Sequence, residues 1–155
     1  MKAITLHQPF ASLIEGGVKN IETRTWKPPE SLVGQRIAIH AASKKLTEQE
    51  WIDLPMSVSY KMYQRYGPQW RKVIPYGRVI ATAKLVTYAE VLERHRDNRH
   101  VWCQRPTRAF QSLIATDPYG DFSVGRYLWF LDDIQIVEGR PIVRGRQKFW
   151  DWTPE

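Results

Sequence analysis

The sequence predicts a mainly β protein with short peripheral helices, of the α+β class. Strand-like patterns occur early, in the middle and late in the 155-residue chain, at residues 3–7, 77–88 and 125–137. The predicted helices are short, and strands do not alternate regularly with helices of about twelve residues, as in a doubly wound fold. A small barrel-like sheet decorated by helices therefore fits the pattern better than a parallel α/β fold.

Composition limits the possible functions. The chain has 155 residues, of which 43% are hydrophobic, and we predict a single domain over residues 1–155. Its formal net charge of +7 favours a polyanionic partner such as nucleic acid. The single cysteine, Cys103, cannot form an internal disulfide or build a thiolate cluster. No apolar run reaches 18 residues, so we predict a cytoplasmic protein without a membrane partner.

The first strand and helix are predicted near the N-terminus. Residues 3–7 alternate apolar and polar side chains, the period-two pattern of a half-buried strand. Pro9 suits the first position of a short helix, and Gly16–Gly17 is typical of a helix end. Lys19 is therefore expected just beyond the C-terminus of that helix.

Two further strands are predicted before residue 43. A period-two pattern from Ile21 places Glu22, Arg24 and Trp26 on one face of the second strand. Residues 34–42 predict a third strand, in which Ile37 and Ile39 point inward and His40 lies on the opposite side.

The rest of the chain mixes helices, strands and irregular segments. Thr47 and Glu50 have the spacing of a capping box, which predicts a helix start, and residues 56–70 are expected to be helical. Residues 88–118 are polar and predicted to be irregular. Residues 140–152 predict a last strand that leads into a basic and aromatic tail.

Motifs of several enzyme classes are absent from the sequence. It contains no P-loop, no G-x-G-x-x-G, no G-x-S-x-G and no H-E-x-x-H, which excludes P-loop nucleotide hydrolysis and H-E-x-x-H zinc proteolysis. His95 and His100 are candidate metal ligands, but Arg94, Arg96 and Arg99 would repel a cation, and no acidic cluster accompanies them. We therefore predict no metal site and no cofactor.

The most specific motif lies between residues 17 and 26. Gly17, Lys19, Glu22 and Arg24 have the spacing G-x-K-x-x-E-x-R. With the preceding HQP, the IHA strand followed by two lysines, the GRYLW segment and the terminal VRGRQKFW, the sequence resembles the ASCH family, the activating signal cointegrator homology domain. The resemblance covers most of the chain.

This resemblance implies a fold and a ligand class. The implied fold is similar to the PUA-like pseudobarrel, a mixed β-barrel with peripheral helices, with a cleft suited to RNA or a nucleobase. Members of the family have been linked to RNA or DNA binding. One branch resembles bacterial amidohydrolases that remove the acetyl group from acetylated cytidine. That branch has a threonine where this chain has Glu22, so the resemblance does not carry its nucleophile over.

The signature side chains are the candidate binding residues and, if the protein is an enzyme, the catalytic ones. Lys19 could contact a phosphate or act as a base, and Glu22 could accept from a base edge or assist proton transfer. Arg24 offers a planar fork of donors to a phosphate or base. Each could equally form a structural salt bridge. Trp26 could stack on a base or pack in the fold.

Other candidate nucleic-acid-binding residues are polar residues expected near the same cleft and members of two basic clusters: His7, Gln8, His40, Lys44, Lys45, Arg144 and Arg146. The histidines and the glutamine offer hydrogen-bonding edges to a base, although the two histidines could instead be satisfied residues of the core. The second basic cluster is interleaved with aromatic residues, which suits single-stranded nucleic acid, although a solvated charged surface has the same composition.

Three functions follow from these residues. The first is an RNA-binding module that holds a base or a chain end. The second is a hydrolase that acts on a modified nucleoside or on RNA, with Lys19 and Glu22 transferring protons and Arg24 stabilising negative charge. The third is an interaction domain without a nucleic-acid partner, which leaves the polar signature unexplained. The expected partner is RNA, another single-stranded nucleic acid or a modified nucleoside.

Overall fold

A computed structural model describes residues 1–154. The strands are listed in chain order: β1 Lys2–Leu6, β2 Ile21–Arg24, β3 Arg36–Ala41, β4 Arg78–Arg94, β5 His100–Gln104, β6 Ser112–Ala115, β7 Tyr127–Ile136 and β8 Phe149–Asp151. The helices are α1 Phe10–Glu15, α2 Glu48–Ile52, α3 Met56–Tyr66 and α4 Trp70–Val73, with a 3-10 turn at Glu30–Leu32. The eight strands belong to a mixed sheet. The predicted class, mainly β with peripheral helices, is confirmed.

The chain divides into two compact units. The first unit contains Met1–Lys19, Arg36–Ala83 and the chain from Asp133 onward, and the second contains Asn20–Gln35 and Lys84–Asp132. Strands β4 and β7 contribute residues to both units. No helix within residues 1–154 is long and apolar enough to cross a membrane.

The strands of the first unit pack around β1. Strand β1 pairs in parallel with β3 and antiparallel with β8, and β3 also neighbours β4. Ala3, Ala38, Val79, Trp150 and Trp152 form one core cluster. The prediction that β3 has one inward face is incomplete, because Ala38 and His40 are buried as well as its isoleucines. Strand β3 is covered on both sides.

Helix α1 ends where the sequence predicts, but it begins one residue later than predicted, at Phe10. Pro9 is the N-cap residue, and the chain leaves the helix through Gly16 and then Gly17, whose φ of 70° favours glycine. The carboxylate of Glu15, fully buried, accepts from Tyr66 Oη at 2.8 Å and pairs with Arg65 at 3.2 Å. These contacts join α1 to α3.

The helices between residues 48 and 73 follow local sequence signals. The Thr47 hydroxyl accepts from the Glu50 amide at 3.2 Å, and the Glu50 carboxylate accepts from the Thr47 amide at 2.7 Å. This is the predicted capping box at the start of α2. Pro55 is the N-cap residue of α3. The predicted helix over residues 56–70 is divided, because α3 ends at Tyr66 before Gly67, whose φ is 79°, and α4 begins at Trp70.

In the second unit, β2 pairs antiparallel with β7, and β5 pairs antiparallel with β4 and β6. The prediction that residues 88–118 are irregular is therefore wrong. Val101 and Cys103 alternate inward from β5 into a buried cluster with Val91, while His100, Trp102 and Gln104 on the other face of the strand are more exposed. The segment is polar in its overall composition, so the short inward alternation of β5 does not stand out in the sequence. Burial raises the pKa of the Cys103 thiol to about 11, so the cysteine is a core residue.

The C-terminal segment also differs from its prediction. Only Phe149–Asp151 forms strand β8, whereas residues 140–148 contain a single isolated bridge, between Ile142 and Arg78. Val143 is held instead by a backbone hydrogen bond from its amide to the Gly77 carbonyl at 3.0 Å. Pro141 has no amide hydrogen to donate, so a regular ladder is interrupted there.

Candidate ligand-binding site

A pocket of about 340 Å³ lies in the first unit, between the β1–α1 connection and the segment that leads into α2 and α3. Its lining combines cations, carboxylates and apolar side chains, namely His7, Gln8, Phe10, Lys44, Lys45, Leu46, Glu50, Asp53, Leu54 and Pro55. A volume of this size is at the lower end of the range for small-molecule sites. The pocket brings together two segments that are separated by more than thirty residues in the sequence.

Gln8 forms part of the pocket wall and is itself held in place. Its side-chain amide donates to Ser12 Oγ at 2.9 Å and to the Pro75 carbonyl at 2.6 Å, while its oxygen accepts from the Ser12 amide at 3.1 Å. The side chain is buried. Its hydrogen-bonding groups are thus engaged inside the unit, so Gln8 shapes the pocket, whereas His7 beside it is exposed.

The cations of the pocket are exposed. Lys44 Nζ pairs with Glu50 Oε1 at 3.0 Å, and the two side chains are 62% and 43% exposed. The backbone hydrogen bond from Thr47, followed by the contact with Lys44, lowers the pKa of Glu50 to about 2. The carboxylate is therefore ionised at neutral pH, and a surface pair of this kind contributes little to stability. Both lysines remain accessible to an anion.

His40 is placed differently from the pocket residues. Its Nε2–H donates to the Val143 carbonyl at 2.9 Å, and its Nδ1 lies 3.2 Å from the Thr5 hydroxyl, which also accepts from Trp150 Nε1. Burial lowers the pKa of His40 below its usual value, opposed by the hydrogen bond to Val143. These contacts describe a neutral, satisfied histidine in the interior.

The segment Val143–Arg146 rests on this histidine. A Cβ on Gly145 would lie 2.6 Å from His40 Nδ1 and 2.7 Å from Thr5 Oγ1, closer than real Cβ contacts. Only glycine fits against the ring. Arg144 and Arg146, on either side of it, are exposed. The structure therefore fixes the backbone of a short basic segment while leaving its guanidinium groups in solvent.

The signature lysine is the most deeply buried cation of the first unit's predicted site residues. Lys19 is 2% exposed, and its backbone amide donates to the Leu13 carbonyl at 3.1 Å, beyond the end of α1. The predicted position after the helix is confirmed. Burial of a lysine side chain is costly unless its charge is compensated, so this residue is not a solubility feature.

The other signature residues lie on β2 and beyond it, in the second unit. Glu22 Oε1 and Arg24 Nε form an ion pair at 3.0 Å, with side chains 11% and 27% exposed. The predicted common face of Glu22 and Arg24 is thus observed. Strand β2 ends at Arg24, and the ring of Trp26 packs edge-on against Trp129 with centroids 4.8 Å apart.

Within the first unit, the structure gathers four predicted residues on one pocket: His7, Gln8, Lys44 and Lys45. Sequence reasoning missed the apolar part of the lining, Phe10, Leu46 and Leu54. Phe10 is the first residue of α1, and the two leucines precede and follow α2 without a motif. The only feature of the sequence that could have indicated these three residues is their position, since each is adjacent to a predicted polar residue or helix boundary.

Comparison with protein-family models matches the ASCH domain over residues 4–107. The matched span is more than half of the 155-residue chain and includes all four signature residues. It draws residues from both compact units. At the level of the family, this match suggests RNA binding or a related activity. The chain belongs to the ASCH domain family.

Proposed function

We propose that the protein binds single-stranded RNA and that the pocket of the first unit holds one base or a chain end. The observation that carries this proposal is the convergence of His7, Gln8, Lys44 and Lys45 on one pocket of about 340 Å³. The sequence alone also indicates each of these residues as a candidate for nucleic-acid binding. The pocket is also large enough for a small ligand.

The pocket lining suits the two parts of a nucleotide. Phe10, Leu46 and Leu54 supply apolar surface, against which a base can place its face, and the exposed imidazole of His7 offers a further ring. Lys44 and Lys45 supply ammonium groups for phosphate. An incoming phosphate competes with Glu50 for Lys44, and this exposed pair is weak enough to exchange.

The segment with Arg144 and Arg146 is a second phosphate contact under this proposal. Both guanidinium groups are exposed, and the backbone between them is fixed against His40. A fixed backbone reduces the ordering cost when the side chains engage a ligand. His40 then acts as a positioning residue. We further propose that residues 1–155 function as one cytoplasmic domain.

The test measures affinity for fluorescein-labelled single-stranded RNA by anisotropy. Lys44→Gln combined with Lys45→Gln is expected to weaken binding by at least about tenfold, because two phosphate contacts are lost. The matched control is Lys72→Gln with Lys84→Gln, which removes the same charge from exposed positions outside the pocket. If both double substitutions weakened RNA binding equally, the lower net charge of the protein would explain the loss, and the pocket would not be the binding site.

A second candidate function, hydrolysis of a modified nucleoside, is favoured by the burial of the signature residues. Lys19 and Glu22 are 2% and 8% exposed, and ionisable groups in such surroundings are common at catalytic sites. In this role Glu22 transfers a proton, and Arg24, which pairs with it at 3.0 Å, stabilises developing negative charge. Lys19 of the first unit is a separate candidate for proton transfer.

Turnover of N4-acetylcytidine, followed by chromatography, separates the two functions. Under hydrolysis, Glu22→Gln is expected to abolish turnover while binding of the nucleoside remains, because the shape of the side chain is kept. Lys19→Met keeps the stem and deletes the charge, so it is expected to abolish turnover in a folded protein. If the unaltered protein binds RNA but does not turn over N4-acetylcytidine, RNA binding is the one function of the two that remains.

A further inference from the structure

The hairpin that joins β4 to β5 carries a compact group of side chains at its tip. The His95 amide donates to the His100 carbonyl at 3.0 Å, and the Asn98 amide donates to the His95 carbonyl at 3.0 Å. Asn98 has a φ of 57°, within the left-handed region that asparagine tolerates in tight turns. The turn therefore returns His100 to a position opposite His95.

The carboxylate of Asp97 lies between the two imidazoles. Its Oδ1 is 3.0 Å from His95 Nδ1, and its Oδ2 is 2.7 Å from His100 Nδ1. The sequence predicted no metal site because no acidic cluster accompanies the two histidines, but the fold places this single carboxylate between them. One carboxylate with two imidazoles is a common donor set for transition metals.

We propose that His95, Asp97 and His100 form a binding site for a divalent transition-metal ion, with zinc as the reference ion. One ligand atom from each residue lies within 4.8 Å of the others. Zinc with bonds of about 2.0–2.2 Å in tetrahedral geometry separates its ligand atoms by about 3.4 Å. The two oxygen–nitrogen distances, 3.0 and 2.7 Å, are shorter than this spacing and no pair exceeds 4.8 Å, so the side chains must rotate apart to admit the ion.

The hairpin backbone orients the central ligand. Asp97 Oδ1 accepts from the Arg99 amide at 2.8 Å and from the His100 amide at 3.1 Å. Hydrogen bonds of this kind hold a carboxylate ligand in place before the ion arrives.

The flanking arginines determine which ions are suitable. Arg94, Arg96 and Arg99 are exposed, and Arg94 donates to the Asn98 carbonyl at 3.1 Å. Their repulsion is reduced by salt, because the screening length is about 8 Å at physiological ionic strength. It still disfavours calcium and magnesium, which need several oxygen ligands. Imidazole nitrogens bind zinc, nickel or copper strongly enough to offset it.

The first measurement is isothermal titration of the chelator-treated full-length protein with zinc chloride. Saturable binding of one ion is expected. His95→Ala, His100→Ala and Asp97→Asn should each weaken it by about tenfold or more. The change Asp97→Asn keeps a side-chain oxygen that can accept the hydrogen bonds of the turn, but it removes the negative charge that would bind the metal ion. Glu93→Gln, an exposed change of equal charge on the same hairpin, should leave the affinity within about twofold.

A tryptophan beside the site supplies a second readout. The ring of Trp102 lies 6.1 Å from that of His95, centroid to centroid. Binding of copper(II) there is expected to quench the fluorescence of this residue, and Trp102→Phe should remove that saturable component.

Three results would overturn the site: no saturable binding up to about 1 mM zinc, ligand variants that bind like the unaltered protein, or the same loss in Glu93→Gln. Quenching that is unchanged by Trp102→Phe would place the ion elsewhere. The proposal does not rest on RNA binding, so its outcome is independent of the proposed function.

Discussion

In the pocket of the first unit, the carboxylate of Glu50 pairs with the ammonium of Lys44, whereas in the hairpin of the second unit the carboxylate of Asp97 lies between His95 and His100. Both places combine carboxylates, histidine and nearby basic residues. In the pocket the carboxylate is matched by a permanent cation, and Lys45 adds a further positive charge. In the hairpin, the imidazoles can exchange a proton for a metal ion.

This difference shows that the residue types in a site do not by themselves determine whether the site attracts an anion or a cation. The side chain that pairs with the carboxylate determines it: a lysine in the pocket, and two imidazoles in the hairpin. His40 adds a third case, because its ring nitrogens are engaged by Thr5 and Val143 in the interior. The same residue type thus lines a pocket at His7, supplies metal ligands in the hairpin and supports a backbone segment at position 40.

The largest expected effect tests the buried histidine. Gly145→Ala should lower the free energy of unfolding by about 1–3 kcal/mol, because the new methyl group overlaps His40 and Thr5. Urea denaturation measures the change. The neighbouring exposed change Arg146→Ala serves as the control and should stay within about 0.5 kcal/mol. Equal stability of the two variants would contradict a fixed Val143–Arg146 segment.

The next prediction tests whether the pocket binds the RNA anion and the hairpin binds the zinc cation independently of each other. Lys44→Gln with Lys45→Gln should weaken RNA binding by about tenfold and leave zinc affinity within about twofold. Asp97→Asn should do the reverse. Anisotropy and titration calorimetry on both variants measure all four values. If either variant weakened both ligands alike, the two sites would not be independent.

A smaller effect concerns the basic segment. Arg144→Ala with Arg146→Ala should flatten the slope of log affinity against log salt by about 1.4, since each phosphate contact with a single strand contributes about 0.7. Thermal stability should barely change, because both side chains are exposed. A slope equal to that of the unaltered protein would show that these arginines do not contact phosphate.

The smallest effect is a pH dependence of stability that originates at His40. Its pKa is lowered in the folded protein from 6.5, so below about pH 6.5 the unfolded chain binds more protons than the folded one. Stability is therefore expected to fall as the pH decreases through this region. Denaturation of the unaltered protein and of His40→Asn at several pH values measures the difference in slope. Identical slopes would rule out this contribution.

Much of the fold could be predicted from local patterns. The alternation in β1, the glycines after α1 and the capping box of α2 each determine a backbone conformation through neighbours within a few residues. The signature spacing similarly predicted that Glu22 and Arg24 share a face, because alternate residues of a strand do so, and left open the ion pair that is observed. The sequence was also sufficient to identify the family.

Other features depended on distant residues. Strands β5 and β6 were missed because their polar residues obscure a short inward alternation that pairing makes stable. Gln8 was read as a base-binding residue, yet its hydrogen bonds with Ser12 and Pro75 hold it in the pocket wall. No local pattern indicates a partner 67 residues away.

The sequence by itself determined the class of the fold, the end of α1, the capped start of α2, and the chemical character of the ligand-binding candidates. These features depend on backbone preferences and side-chain spacing over a few residues. Only the tertiary structure decided which candidates share a pocket, which histidine is buried and where Asp97 directs its carboxylate. The reason is physical: burial, hydrogen bonding and the charge of a site depend on the groups that folding brings together, and these come from distant parts of the chain.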